Sequence, residues 1–228
     1  MKENNPRFIA LIPAYNEAAR ITGVVRGASL HLPVLVVDDG SKDETAHLAK
    51  KAGAEVISYQ PNRGKGAALR EGFKRAMAME VSAVLTLDAD GQHDPDEIPL
   101  FLDAYKSEKH KLIIGARDFS RMPLIRKIAN TLGGKLISWA AGQEILDNQS
   151  GYRLISSDVM QAMLLSRESG FEFEVEMVMA CLRNGWGLGW VPISTIYRDQ
   201  GSHIQPLKHA LNFLRMVIFI RREMHPKK

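Results

Sequence analysis

Cysteine is almost absent. Cys181 stands alone in 228 residues, so no disulfide can close within the chain, and a reducing compartment, the cytoplasm, is expected. Long apolar runs are missing too. The densest, Met216-Val217-Ile218-Phe219-Ile220, falls far short of the roughly 20 residues that span a bilayer, so no transmembrane helix is expected. The opening residues, Met1 to Pro6, include an acid and lack an apolar core, so no secretory leader is expected from them. Aromatic residues make up only 7% of the chain, and no DNA- or RNA-binding motif occurs. Nucleic acid is therefore not expected as a partner. A net charge of +4 with pI near 9.2 still suits an anionic partner, whether a phosphorylated substrate or a membrane surface. Repeats, low-complexity tracts and linkers are lacking, so a single domain is expected. The 45% hydrophobic and 25% charged content excludes a disordered or fibrous chain.

What is present is an alternation of short apolar runs and helical patterns. Phe8–Ile12 reads as a strand, and Pro13-Ala14-Tyr15-Asn16 as a turn before a helix over Glu17–Leu30. Val34–Val37 reads as a strand ending in Asp38-Asp39-Gly40-Ser41, and Asp43 as the cap of a helix reaching about Ala52. Glu55–Ser58 and Ala83–Leu87 read as further strands, with a helix over Gly66–Met79 between them. Asp94-Pro95 opens another helix, with proline where a helix start tolerates it. This order predicts an α/β fold with a mostly parallel sheet flanked by helices, and ligands outside the carboxyl ends of the strands. Beyond Gly115 the regularity breaks down. Helices are expected over Leu124–Ala141, Phe171–Asn184 and Leu207–Arg222, a polar turn over Asp147–Arg153, and a strand over Gly189–Ile196.

The strand ends carry the candidate chemistry. Asp88 and Asp90, two apart after a buried strand, repel each other unless a cation lies between them. Oxygen ligands suit Mg²⁺ or Mn²⁺, ions that also hold substrate phosphates. Asp90 and the Gln92 amide oxygen are candidate metal ligands, and Asp88 a contact to the nucleotide ribose or a metal-bound water. A solvated acidic loop is the ordinary alternative for a lone D-x-D pair, but the nearby Asp38-Asp39 favours a site. His93 reads as an exposed loop histidine in preference to a further ligand. Pro61-Asn62-Arg63-Gly64-Lys65-Gly66 lacks the Walker spacing and the following Ser or Thr, which argues against a kinase. It still puts Lys65 at a helix N-terminus, where anions are favoured. Arg117, Arg126, Arg153 and Arg198 lie near turn residues and carry a donor fork suited to phosphate. A surface position is the ordinary alternative for each, and function is favoured for Arg117 and Arg198. His203 suits a phosphate contact or a structural role equally.

Taken together these pieces resemble family 2 glycosyltransferases of the GT-A fold, most closely the dolichyl-phosphate mannose synthase-like branch. The resemblance rests on Ile12-Pro13-Ala14-Tyr15-Asn16-Glu17, Val37-Asp38-Asp39-Gly40-Ser41, Asn62-Arg63-Gly64-Lys65-Gly66 and Leu87-Asp88-Ala89-Asp90-Gly91-Gln92. Gly115-Ala116-Arg117, Asp147 to Arg153, Phe171-Glu172-Phe173-Glu174 and Val191-Pro192-Ile193 continue it in the family's order.

That resemblance implies an inverting, metal-dependent hexosyltransferase using a GDP- or UDP-sugar, with a polyprenyl phosphate as acceptor. It places Pro13, Ala14, Tyr15, Glu17 and Asp39 around base and ribose, and Asp88, Ala89 and Asp90 at the diphosphate and metal. Arg117, Arg126 and Arg198 become phosphate contacts, and Asp147 and Glu174 face the acceptor. The expected layout is a nucleotide-binding half over about 6–115, an acceptor half over about 116–205 and a basic amphipathic helix over about 206–223. A phosphate acceptor is already anionic. A hydroxyl acceptor on a glycan or lipid, the alternative, needs a base, for which Asp147 is the candidate. Many members of the branch carry transmembrane helices after the catalytic domain, and none is expected within these 228 residues. The chain's last apolar helix, flanked by Arg215, Arg221, Arg222, Lys227 and Lys228, suits the inner face of an anionic membrane. Packing on the sheet or at a homodimer interface is the other reading. A nucleotidyltransferase would put a Gly- and Arg-rich loop after the first strand, where Pro13-Ala14-Tyr15-Asn16-Glu17 stands instead.

Overall fold

A computed structural model describes residues 7–106, 110–117, 124–166, 172–194, 217–218 and 220–224, with side chains from 131 onward in the helix that begins at 124. The strands are β1 (Phe8–Ala14), β2 (Val34–Asp38), β3 (Glu55–Ser58), β4 (Ala83–Thr86), β5 (Leu112–Arg117), β6 (Arg153–Ser156) and β7 (Leu188–Ile193). The helices are α1 (Ile21–Ser29), α2 (Thr45–Lys51), α3 (Lys65–Ala78), α4 (Ile98–Lys106), α5 (Leu124–Ala141), α6 (Ser157–Met163) and α7 (Glu172–Arg183). All seven strands form one sheet in the order β3-β2-β1-β4-β6-β5-β7.

Strands β3, β2, β1 and β4 are parallel, and the inner three are the continuous apolar runs that burial on both faces requires. Residues of β1 alternate between two cores. Ile9 and Leu11 pack with Phe73 and Phe173 on one face, while Ala10 and Ile12 pack with Val25 and Phe101 on the other. Burying each such side chain stabilises the fold by roughly 1.5–3 kcal/mol. The strand order reverses between β1 and β4, which opens the crevice where such sheets bind ligands.

Several boundaries differ from the sequence expectation. Strand β1 runs on to Ala14, because Ala14 pairs with Asp38 of β2. Helix α1 starts at Ile21 rather than Glu17: Asn16 sits at φ +54, and residues 17–20 form a turn in which the Glu17 carbonyl accepts from Arg20 and Ile21. The segment after Gly115 holds more order than its pattern suggested. Arg153, expected in a turn, opens β6, which runs antiparallel between β4 and β5. Strand β5, which the sequence pattern did not mark, lies past β6, beside β7. The described part of the last helix has Val217 and Ile220 buried in the core, so that face packs on the protein.

Candidate active site

Three loops meet at the carboxyl ends of β1, β2 and β4. Asn16 ties the first two together, its amide donating to the Ser41 hydroxyl (2.9 Å) and its side-chain oxygen accepting from Lys42 N (2.8 Å). Asp43 does not cap α2 alone. One oxygen accepts from the Thr45 amide and hydroxyl, and the other from Ala18 N. Asp38 and Asp39 are both buried. Asp38 accepts from Ser41 N and from the Ser58 hydroxyl. Asp39 accepts from Arg63 N (2.8 Å) and Gly64 N (2.7 Å), and so draws the loop before α3 against β2. Gly40, at φ +76, is required there, since a Cβ would lie 2.7 Å from Asn62 N. Tyr15 stays exposed at the rim and Glu17 is paired with Arg20 at 3.0 Å.

The centre of the crevice is a half-buried charge cluster. Lys65, first residue of α3, lies 2.6 Å from Asp88 and 3.0 Å from Glu174 of α7. Burial pulls the Lys65 ammonium down, but the two carboxylates hold it above its ordinary value. Asp88 is pushed up by burial yet ends below the usual carboxylate range, chiefly because of Lys65. Gly151 closes over the pair, where a Cβ would meet Asp88 oxygens at 2.6 and 2.8 Å and Lys65 Nζ at 2.8 Å. The Gly151 carbonyl is pinned by the Thr86 hydroxyl at 2.7 Å.

His93 is not exposed, contrary to the sequence expectation. It is buried, its Nδ1 accepts from Asp88 N (3.1 Å), and its ring stacks on Tyr152 with centroids 4.9 Å apart. Burial lowers its basicity, so the neutral imidazole acts as a brace that shapes the loop after β4. Within that loop Asp90 Oδ1 accepts from Gln92 N at 3.0 Å.

The loop into β6 forms the neighbouring wall. Asp147, almost fully buried, binds Arg117 through Nε at 2.6 Å and Nη2 at 3.0 Å, and also accepts from Gln149 and Ser150 amides. A general base needs a free, reachable oxygen. Asp147 instead holds the Arg117 guanidinium at the end of β5. Arg153 is not a surface residue. It is wholly buried and donates to the Ser150, Asn148 and Glu174 carbonyls at 2.6–2.8 Å. It thereby joins the Asp147 loop to the start of α7, whose Glu174 carries the Lys65 bond.

The structure thus brings together Lys65, Asp88, Asp90 and Gln92, with Arg117 and Asp147 on the neighbouring loop. Pro13 and Ala14 end β1 beside them, and Ala89 is buried under the loop. Arg126 lies in α5 with its side chain outside the described residues, and Arg198 and His203 lie outside them altogether. Sequence reading missed the Lys65–Glu174 bond, the closing role of Gly151 and the burial of Arg153. The only hint was that glycine and arginine flank Tyr152.

The donor set suits a divalent cation. Asp90 and Gln92 offer hard oxygen atoms, and two protein ligands match ions that complete their shell with phosphate and water. Among the described residues no three or more acidic, His or Cys side chains gather as a metal-holding group, and Asp88 is engaged by Lys65.

The sheet order and the acid-lined crevice at its switch point define an α/β protein of the GT-A class. Residues 9–169 match the model for Glycosyl transferase family 2, and the chain belongs to that family: it is a glycosyltransferase. Its relatives include the UDP-N-acetylglucosamine–dolichyl-phosphate N-acetylglucosaminyltransferase of Methanococcus voltae, 31% identical, covering 83% of this chain and 85% of that one. The undecaprenyl-phosphate mannosyltransferase of Micrococcus luteus is 31% identical over 86% of each chain. The polyprenol monophosphomannose synthase of Mycolicibacterium smegmatis is also 31% identical, covering 86% and 79%. Glucosyl-3-phosphoglycerate synthase from Mycobacterium tuberculosis, solved with Mn²⁺, UDP and phosphoglyceric acid, shares the fold. It has a TM-score of 0.73 at 20% identity, covering 98% of this chain and 80% of that one.

Proposed function

We propose that this glycosyltransferase moves a hexose from a GDP- or UDP-sugar to a polyprenyl phosphate at the inner face of a membrane, inverting the anomeric carbon. The observation that carries the choice of acceptor is the Asp147–Arg117 pair. It presents a guanidinium beside the donor crevice and leaves Asp147 no free oxygen for taking a proton. A lipid phosphate is already an anion and needs positioning rather than a base. The names of the relatives agree with this acceptor class.

In this reading Pro13, Ala14, Tyr15, Glu17 and Asp39 border the base and ribose. Asp90 and Gln92 hold Mg²⁺ or Mn²⁺, which when bound neutralises charge growing on the departing diphosphate. Lys65 has three N–H donors and gives two to Asp88 and Glu174. The third is directed to the donor, while Asp88 fixes the ammonium. Arg117 orients the acceptor phosphate, with Arg126 and Arg198 as further contacts implied by the family resemblance and His203 as a candidate from its place beside Gly201-Ser202.

The test is a panel of UDP-glucose, UDP-N-acetylglucosamine and GDP-mannose against undecaprenyl and dolichyl phosphates, with Mn²⁺ or Mg²⁺. The anomeric configuration of the product is read by NMR. One donor should give an inverted lipid-phosphate sugar. Transfer only to a glycan or lipid hydroxyl would overturn the reading. Asp147→Asn should lower but not abolish transfer to phosphate, because Arg117 loses its anchor and no base is lost.

A further inference from the structure

Helix α5 is amphipathic in an unusual sense, with apolar side chains on both of its sides. Ile137, Ala140 and Ala141 are buried in the core. On the opposite side Leu132, Leu136 and Trp139 are 57%, 42% and 59% exposed. At 100° per residue these three lie within an arc of about 60°, so they form one stripe. The last helix extends it. Its Val217 and Ile220 are buried, but Ile218 is 53% exposed. Arg221, one turn on, donates to the Trp139 carbonyl at 3.2 Å and lies 4.6 Å over the Trp139 ring. The two helices therefore share one outward apolar ridge.

Cations edge this ridge. Lys135 is exposed about 40° beyond Trp139, flanking the α5 stripe, and Arg222 is exposed beside Arg221. The nearby acid Glu223 is bound to Arg183 at 3.2 Å. Apolar side chains with Trp and basic residues at their margin suit a bilayer surface bearing anionic head groups. A second copy of the chain suits it less, because a two-fold contact on this face would set its Lys and Arg side chains against one another.

We infer that the exposed stripe of α5, joined by Arg221 to Ile218, is the surface by which this enzyme docks on an anionic lipid bilayer. This rests on the polyprenyl-phosphate reading of the acceptor and says where that lipid lies. The end of α5 is tied to the acceptor loop, since the Ser138 hydroxyl accepts from Ile145 N at 2.9 Å. The exposed Leu146 follows, and then Asp147 with Arg117. A bilayer on the ridge therefore delivers a membrane-embedded phosphate to the side of the crevice where Arg117 stands.

The experiment is flotation of the full chain with phosphatidylcholine vesicles, with and without phosphatidylglycerol, for wild type, Leu132→Ser/Leu136→Ser/Trp139→Ser, and Lys135→Glu/Arg222→Glu. Thermal unfolding and Mn²⁺-dependent UDP or GDP binding check that each variant is folded. Wild type should float with the anionic vesicles. The apolar variant should lose about tenfold or more of that partition on both compositions, and the charge variant only on the anionic one. On a short-chain polyprenyl phosphate dispersed in detergent, the apolar variant should retain wild-type transfer. Undiminished flotation of the apolar variant overturns the inference. So does a wild-type dimer that this variant converts to monomer without change in flotation. Vesicle binding through the ridge with no transfer to any polyprenyl phosphate upholds the surface and overturns the acceptor reading instead.

Discussion

Gly151→Ala is the sharpest probe of the donor crevice. Gly151 is not among the glycines in the left-handed region, so alanine brings no backbone strain of that kind, only a methyl group. That methyl would stand 2.6 and 2.8 Å from the Asp88 oxygens and 2.8 Å from Lys65 Nζ. Carbon–oxygen contacts settle at about 3.3 Å or more, so Asp88 or Lys65 must retreat by roughly 0.5–0.7 Å. Neither moves freely, because Lys65 is held at 2.6 Å by Asp88 and at 3.0 Å by Glu174. Losing one charged hydrogen bond costs about 1.5–3 kcal/mol, which corresponds to about a 10- to 150-fold loss in affinity. Titration calorimetry with UDP and GDP in the presence of Mn²⁺ should show that loss, with thermal unfolding only slightly lowered. A folded Gly151→Ala protein that binds its nucleotide as tightly as wild type would refute the assignment of the Lys65–Asp88 pair to the donor.

Two further perturbations test the same physics elsewhere. Lys65→Met removes the cation shared by Asp88 and Glu174, and a broken buried pair costs about 3–5 kcal/mol. Lys65 is 26% exposed, so a loss of about 2–3 kcal/mol in urea unfolding is expected. Adding Glu174→Gln should restore part of it by removing the carboxylate repulsion, whereas a further additive loss would contradict the shared-cation arrangement. Burial pushes the Cys181 thiol up to about 12, so it stays protonated in the folded state while the unfolded thiol ionises near its ordinary value. The unfolded state then binds fewer protons, and this stabilisation is complete below about pH 9 and fades as pH rises toward about 12. Cys181→Ser should flatten the alkaline fall in stability, and rapid thiol labelling of native protein at pH 8 would contradict the burial.

The parallel half of the fold was legible because β1, β2 and β4 are apolar runs with acids close behind them, while β3 showed only as the short β-branched pair Val56-Ile57. Burial on both faces imposes the apolar runs. The helix over Leu124–Ala141 was legible to the residue. Strand β6 was hidden for a physical reason. It has four residues and begins with arginine, and its partners lie far away in sequence, so nothing local distinguishes it from a turn. The acids at strand ends could be found but not their employment. Asp39, Asp147 and Asp88 are spoken for by Arg63 and Gly64 amides, by Arg117 and by Lys65, partners 23 to 30 residues away. His93 was misjudged because its neighbours along the chain are polar, while burial comes from Tyr152, which stacks on it across the sheet.

The reversed direction of β6 has a consequence for how such an enzyme diversifies. In a parallel strand the residues at the ligand edge leave the sheet, and their loop is constrained by the helix that follows. Because β6 enters from that edge, the Asp147–Tyr152 loop is anchored downstream by the strand and by Arg153, and its Gly151 is laid against the Lys65–Asp88 pair. The chain before the loop is held as well, since Ile137, Ala140 and Ile145 pack in the same core as Ile9 and Leu11 of β1. One short strand laid backwards thus couples the two ends of the crevice, so a change at one must be matched at the other.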